Sequence, residues 1–190
     1  MKVGLINLLF ILSLISFVGC APHGPLYRFD DDKRISIYQL EDSSLNAVKK
    51  YLSQFSNKAI QDTIIIKYDY NNETCWSILD EKVSDEEMKR RYLSSPSPFD
   101  AYLSARPAVS FFWFREPGEN INKITKYNTS IIIDKDLELY KFFFKEKCTC
   151  GNSILILPDG RYIFTRSDSH TNAVLYSSKQ ITELLQTRRN

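Results

Sequence analysis

The stretch KCTCGNSILILPDGRYIF, Lys147 to Phe164, contains two cysteines one residue apart, followed by a strongly apolar run and a turn. The run SILIL is apolar on both faces, which predicts a buried strand. Pro, Asp and Gly then stand where a tight turn favours them, and RYIFTR returns antiparallel, so the stretch predicts a β-hairpin. The cysteine pair is either a redox or metal site or only the lead-in to this hairpin.

Strand-like and helix-like segments alternate on either side of the hairpin. The segments 62–70 and 108–116 are rich in β-branched and aromatic residues and predict interior strands. The segment 137–147 fits a helix or a strand, and we favour a short helix. The predicted order is strand 35–40, helix 41–55, strand 62–70, helix from Ser84, strand 108–116, helix 121–127, short strand 129–136, short helix 137–147, hairpin, and closing helix 177–186.

Polar residues mark where three of these helices begin. Asp42, Ser43 and Ser44 precede the periodic part of the first helix, and each is a candidate cap. Ser84 and Glu87 have the spacing of a capping box. A serine also precedes the closing helix.

The chain begins with a segment typical of an export signal. Lys2 precedes an apolar run, residues 3–18, which is near the short limit for spanning a bilayer. The sequence ISFVGC resembles a bacterial lipobox, which implies cleavage after residue 19 and acylation of Cys20, with palmitate as one such chain. We therefore expect a signal peptide at 1–19, a lipidated tether at 20–34 and one domain at 35–190. The alternatives are a plain secretory signal with Cys20 incidental, or an uncleaved anchor.

The net charge of the chain and the compartment expected for it limit the classes of partner that the protein can bind. The chain has 190 residues, with 25 Lys plus Arg and 23 Asp plus Glu, and a formal net charge of +2. No basic stripe is present, so we expect no nucleic-acid partner. We expect a membrane, through the lipid anchor, and possible exchange with protein thiols or disulfides. An envelope compartment permits disulfides among Cys75, Cys148 and Cys150, and Ala21 after Cys20 slightly favours the outer membrane.

The order of elements resembles the thioredoxin fold, in particular its membrane-tethered thiol-disulfide oxidoreductases and peroxiredoxin-like relatives. The resemblance is closest over 109–185. It implies an α/β three-layer sandwich with a mixed central sheet and helices on both faces.

The resemblance also implies where chemistry would occur. In that family a Cys-x-x-Cys follows the second strand and opens a helix, and here the position reads Cys75, Trp76, Ser77, Ile78. Cys75 matches the attacking cysteine, whereas Ile78 replaces the resolving one. The family's cis-proline loop corresponds to KCTCGNS, which contains cysteines and no proline, since Pro158 lies in the hairpin turn.

Two functions remain open. In the family that loop lies beside the start of the second helix, which implies that Cys148 or Cys150 is within disulfide reach of Cys75. Cys75 would then attack a substrate disulfide, Cys148 or Cys150 would resolve the intermediate, and the third cysteine would be available for exchange. The alternative is a structural disulfide, or a vestigial site, in a non-catalytic binding or scaffold module. Trp76 would be a docking surface beside Cys75.

Other sites are less well supported. Cys75, Cys148, Cys150 and His170 suit zinc by ligand type, but the Cys-x-Cys spacing is poor and no second pair exists, so we expect no metal. The chain has six glycines and no glycine-rich phosphate loop, so we expect no cofactor.

Overall fold

The computed structural model describes residues 24–71, 73, 75, 81–93, 103–119 and 122–187. Cys20 and Trp76 lie outside the described residues. Within them, six strands form one sheet: β1 Ile35–Gln39, β2 Thr63–Asp69, β3 Val109–Arg115, β4 Ile131–Ile133, β5 Asn152–Ile156 and β6 Arg161–Thr165. The helices are α1 Asp42–Leu52, α2 Asp85–Leu93, α3 Lys123–Tyr127, α4 Glu138–Phe142, α5 Asn172–Leu175 and α6 Ser178–Thr187.

The sheet is mixed and has the order β1-β6-β5-β2-β3-β4. Strands β2, β3 and β4 are parallel to one another. Strand β5 pairs antiparallel with β2 on its other side, and β6 and β1 continue antiparallel outward. The predicted hairpin is confirmed as β5 and β6. Strand β2 is therefore interior, which explains its apolar run on both faces.

Helices cover both faces of this sheet. Ile64 and Ile66 of β2 belong to a core that includes Leu45, Val48 and Leu52 of α1. On the opposite face, Ile65 shares a core with side chains from α5 and α6, and Trp113 packs against a smaller core formed by α2 and α3. The predicted thioredoxin-like α/β sandwich with a mixed central sheet is thus confirmed by the strand order and the layers.

The observed N-termini of the helices agree only in part with the caps predicted from the sequence. Glu41, rather than Asp42, Ser43 or Ser44, is the N-cap of α1, and its side chain makes no capping hydrogen bond, so that prediction is wrong. The Ser84 hydroxyl does accept from the backbone N–H of Glu87 at 3.1 Å, as predicted. The serine cap of α6 is confirmed as Ser177, whose hydroxyl accepts from the N–H of Gln180. Helix α5 was missed, because the predicted order has no element between the hairpin and the closing helix.

Residues 24–34, expected to form part of a tether, lie against the domain. The backbone N–H of Thr149 donates to the Pro25 carbonyl at 3.0 Å. The Tyr27 N–H donates to the Ser167 hydroxyl at 2.9 Å, and the side chain of Arg166 donates to the Lys33 carbonyl at 2.9 Å. Within the described residues, the part of the chain that packs against the domain therefore includes Gly24 to Arg34, before β1.

Candidate redox site at Cys75 and Cys150

A disulfide joins Cys75 to Cys150, which are 75 positions apart in the sequence. Cys75 follows the end of β2 and has helical backbone conformation, while Cys150 lies in the loop that leads into β5. Their Cα atoms are 5.0 Å apart. The sheet brings the two regions together because β2 and β5 are neighbours. The proximity of Cys75 to this loop is therefore as expected, and Cys150 is the partner.

The two bonded cysteines differ in exposure. Cys75 is half-buried, whereas Cys150 is buried, with 8% of its surface exposed. A thiolate from another molecule therefore has easier access to the Cys75 side of the bond than to the Cys150 side. This asymmetry suits a site with one attacking and one resolving cysteine.

The loop reaches β5 through two consecutive residues in the left-handed region. Cys150 has φ of 71° and Gly151 has φ of 68°. Only glycine fits at position 151, because an added Cβ would lie 2.4 Å from the Lys67 amino nitrogen and 2.5 Å from a carboxylate oxygen of Asp69. The loop backbone thus packs directly onto charged groups of β2.

A buried ion pair lies beneath this loop. Lys67 is fully buried, and its amino nitrogen is 2.9 Å from a carboxylate oxygen of Asp69. The same amino group donates to the Cys150 carbonyl at 2.9 Å. The other oxygen of Asp69 accepts from the Trp113 indole N–H at 2.6 Å. A buried pair of this kind adds little net stability, but its geometry fixes the position of Cys150 relative to β2.

Glu73 adds a titratable group next to this cluster and two residues before Cys75. It is 9% exposed, and its carboxylate accepts from the Tyr70 backbone N–H at 2.7 Å. Burial, and then the negative charge of Asp69, raise the pKa of Glu73 to about 8 from its ordinary 4.5. Lys67 and the backbone N–H groups of Tyr70 and Gly151 act in the opposite direction. Glu73 can therefore gain or lose a proton near neutral pH.

Cys148 is outside the disulfide and is 2% exposed. Its thiol lies 3.9 Å from the Glu146 carbonyl. Burial, and then the negative charge of Glu146, raise the pKa of Cys148 to about 11. The thiol is thus protonated and covered in this oxidised form, so it is poorly placed for the exchange role that the sequence suggested for a third cysteine.

The zinc alternative finds no geometric support in the described residues. Cys75 and Cys150 are bonded to each other, so their sulfurs are not free to ligate. His170 stacks on Phe29 with ring centroids 6.5 Å apart. No group of three His, Cys, Asp or Glu side chains in the part of the chain that the structure describes could hold a metal.

The sequence interpretation missed Lys67, Asp69 and Glu73. The available signal was the placement of Lys67 and Asp69 two residues apart inside a strand that is otherwise apolar. Residues spaced by two share one face of a strand, and charged residues are almost never fully buried unless they are paired. Two opposite charges on one face of an interior strand therefore indicated a buried pair.

The described residues contain no helix that is both long enough and apolar enough to span a bilayer. Cys20 and residues 1–23 lie outside that part of the chain, so lipidation stays a prediction.

The fold and the site define a class: an α/β sandwich in which a disulfide joins a cysteine that follows an interior strand to the loop before a β-hairpin. No family model and no curated protein matches the chain. Among solved structures, a secreted Mycobacterium tuberculosis disulfide oxidoreductase homologous to E. coli DsbE is similar, with 13% identity and a TM-score of 0.35 over 61% of this chain and 83% of that one. M. tuberculosis dsbF, in mixed oxidized and reduced forms, has 11% identity and a TM-score of 0.34 over 61% and 81%. Likeness this remote does not transfer a function, so function is inferred from the chain's own residues.

Proposed function

We propose that the protein is a thiol-disulfide exchange protein that acts through Cys75 and Cys150. The observation that carries the proposal is the bond between a half-buried Cys75 and a buried Cys150, set over a buried cluster of charges. A purely structural disulfide does not require a partly exposed cysteine or a titratable carboxyl beside it.

The exchange steps follow from this asymmetry. In the reduced protein the Cys75 thiolate attacks a substrate disulfide, and one substrate sulfur leaves as a thiolate. Cys150, once deprotonated, then attacks the Cys75 sulfur of the mixed disulfide, and the second substrate thiolate leaves. The substrate gains two electrons and the Cys75–Cys150 bond forms. A dithiol of a second protein reverses these steps and restores the reduced form.

Glu73 is the candidate proton acceptor for the buried cysteine. The backbone N–H of Gly151, the residue after Cys150, acts on the Glu73 carboxyl and favours its ionised form. With a pKa of about 8 it is partly ionised at neutral pH, so it can take the Cys150 proton as the mixed disulfide is resolved. The Lys67 ammonium near the Cys150 carbonyl favours the thiolate by its positive charge.

We further propose that the protein works in the bacterial cell envelope, anchored by acylated Cys20, with the outer membrane slightly favoured. The support is the apolar leader that ends in ISFVGC and the presence of a disulfide, which persists outside the cytosol. Intact-mass measurement of the membrane-bound protein tests this. We expect acyl mass on an N-terminal Cys20 and release of the Cys20→Ala variant from the membrane fraction.

Reduction of insulin by the protein, with a thiol reductant supplied, tests the exchange activity. We expect turnover with wild type and with Cys148→Ser, and none with Cys75→Ser or Cys150→Ser. Cys148→Ser is the matched control, because it removes a sulfur two residues from Cys150 and leaves the disulfide intact. Absence of turnover in wild type, together with a disulfide that mild reductant leaves intact, would reject exchange and favour the binding or scaffold module.

A further inference from the structure

The segment Gly24 to Tyr27, called here the N-terminal strap, lies across the loop that carries Cys148. Thr149, between the two loop cysteines, contacts the strap twice. Its backbone N–H donates to the Pro25 carbonyl at 3.0 Å, and its hydroxyl donates to the Gly24 carbonyl at 2.6 Å. The other end of the strap is held by the Tyr27 N–H, which donates to the Ser167 hydroxyl at 2.9 Å.

The strap packs closely on the loop backbone. A Cβ added to Gly24 would lie 2.3 Å from the carbonyl oxygen of Lys147 and 3.1 Å from the Cα of Cys148. No side chain larger than hydrogen fits between the two segments at this point. Gly24 is therefore required for the strap to approach the loop.

Cys148 is buried, and the strap lies against its backbone. The residue is 2% exposed although its loop is at the surface, where the side chain of the preceding Lys147 is about half exposed. The Tyr27 ring is 5.7 Å from the Arg166 guanidinium, and the Tyr27 hydroxyl donates to the carboxylate of Glu146 at 3.3 Å. Glu146 and Arg166 are the charged groups that act on Cys148, so the strap closes over the same group of side chains that surrounds the thiol.

We propose that the N-terminal strap is a removable cover that keeps the Cys148 thiol from reacting while the neighbouring Cys75–Cys150 disulfide remains accessible. An uncovered Cys148 can attack either sulfur of that bond. One new sulfur–sulfur bond then forms as the old one breaks, and the displaced cysteine takes up the proton that Cys148 lost, so no outside oxidant is required. The strap thus preserves the Cys75–Cys150 pairing, and its release exposes a third thiol.

The rate at which iodoacetamide alkylates Cys148 in the oxidised full chain at pH 8 tests this inference. Peptide mass mapping separates Cys148 from Cys20. The variants are Gly24→Val, which forces the strap off Lys147, and Thr149→Val, which removes one hydrogen bond. Gly160→Ala is the matched control, because its Cβ also meets a backbone carbonyl, that of Leu40 at 2.8 Å, but at the opposite end of β5.

We expect Gly24→Val to be alkylated at Cys148 at least about tenfold faster than wild type, since each lost hydrogen bond raises the open fraction by a factor of about 2 to 10. Thr149→Val should show a smaller increase, and Gly160→Ala should match wild type. If circular dichroism shows that Gly24→Val does not fold, the alkylation rate of Thr149→Val tests the inference in its place. Equal rates in all four proteins, or the same acceleration in Gly160→Ala, would overturn the inference. No substrate is present, so this result is independent of exchange activity.

Discussion

The Cys150→Ser variant opens the loop that the disulfide closes, and the structure gives the size of that loop. Cys75 and Cys150 are 75 positions apart. A cross-link of this span stabilises the native state by about 4.5 kcal/mol in the chain-entropy description, because it removes conformations from the unfolded chain. Loss of the bond also lets residue 150 leave its left-handed φ of 71°, which relieves about 1 kcal/mol of strain. We therefore expect the free energy of unfolding to fall by about 3 to 4 kcal/mol.

Urea unfolding followed by circular dichroism, with and without a thiol reductant, measures this loss. Reductant should lower the free energy of unfolding of wild type and of Cys148→Ser by the same amount, about 3 to 4 kcal/mol, because both contain the bond. It should leave Cys150→Ser unchanged. Typical domains have about 5 to 15 kcal/mol of stability, so we expect the reduced protein to remain folded, as an exchange cycle requires.

Two results would refute this reasoning. If Cys150→Ser still loses stability when reductant is added, a different pair of cysteines forms the bond in solution. If reduction changes the stability of wild type by less than about 1 kcal/mol, the bond does not constrain the unfolded chain by the amount that its span implies.

Three further variants test the surroundings of the disulfide and the core. The pKa of Glu73 is raised to about 8 in the folded protein, so the stability that this group contributes is present below about pH 4.5 and is lost as pH rises towards 8. The urea midpoint of wild type should therefore fall between pH 5 and pH 8. In Glu73→Gln the contribution of this group to that fall should be absent. Gly151→Ala should lower the unfolding free energy by about 2 to 4 kcal/mol, from the left-handed φ and the clash with the ion pair below it, and should slow insulin reduction. Asp134, fully buried, accepts hydrogen bonds from two tyrosine hydroxyls and two backbone N–H groups. Asp134→Ala should therefore lower the unfolding free energy by about 3 kcal/mol, whereas the exposed control Asp136→Ala should leave the urea midpoint nearly unchanged.

Most elements of the fold were predictable, because each has a local signal. The hairpin has a turn of Pro, Asp and Gly between two apolar runs, and the interior strands have side chains suited to burial on both faces. Which strand lies at which edge of the sheet has no such local signal. Nothing local in ISIYQL indicates that β1 pairs with β6 rather than with β4 at the other edge, because strand order depends on contacts between distant parts of the chain. Helix α5 has only four residues, too few for a helical period to show.

The site was predictable only to the level of a region. The sequence places Cys75 after an interior strand and two cysteines before the hairpin, and the neighbouring positions of β2 and β5 bring them together. The choice of Cys150 over Cys148 depends on features that no pattern displays. Cys150 has a left-handed backbone conformation, and the backbone of Cys148 packs against Gly24, a residue that was expected to be in a tether. Contacts between an N-terminal segment and a loop more than a hundred positions away produce no periodic pattern in the sequence that would predict them.

The buried charges explain why the loop tolerates this unusual backbone. Two consecutive left-handed residues, one of them not glycine, are unfavourable unless surrounding contacts compensate. The Lys67 amino group supplies one such contact through the Cys150 carbonyl, and Gly151 leaves room for it. Lys67 is in turn neutralised by Asp69, which is fixed by Trp113 of the adjacent strand. The position of Cys150 is thus determined by β2 and β3, the centre of the sheet, so a change at Lys67 should alter the reactivity of the disulfide as well as stability.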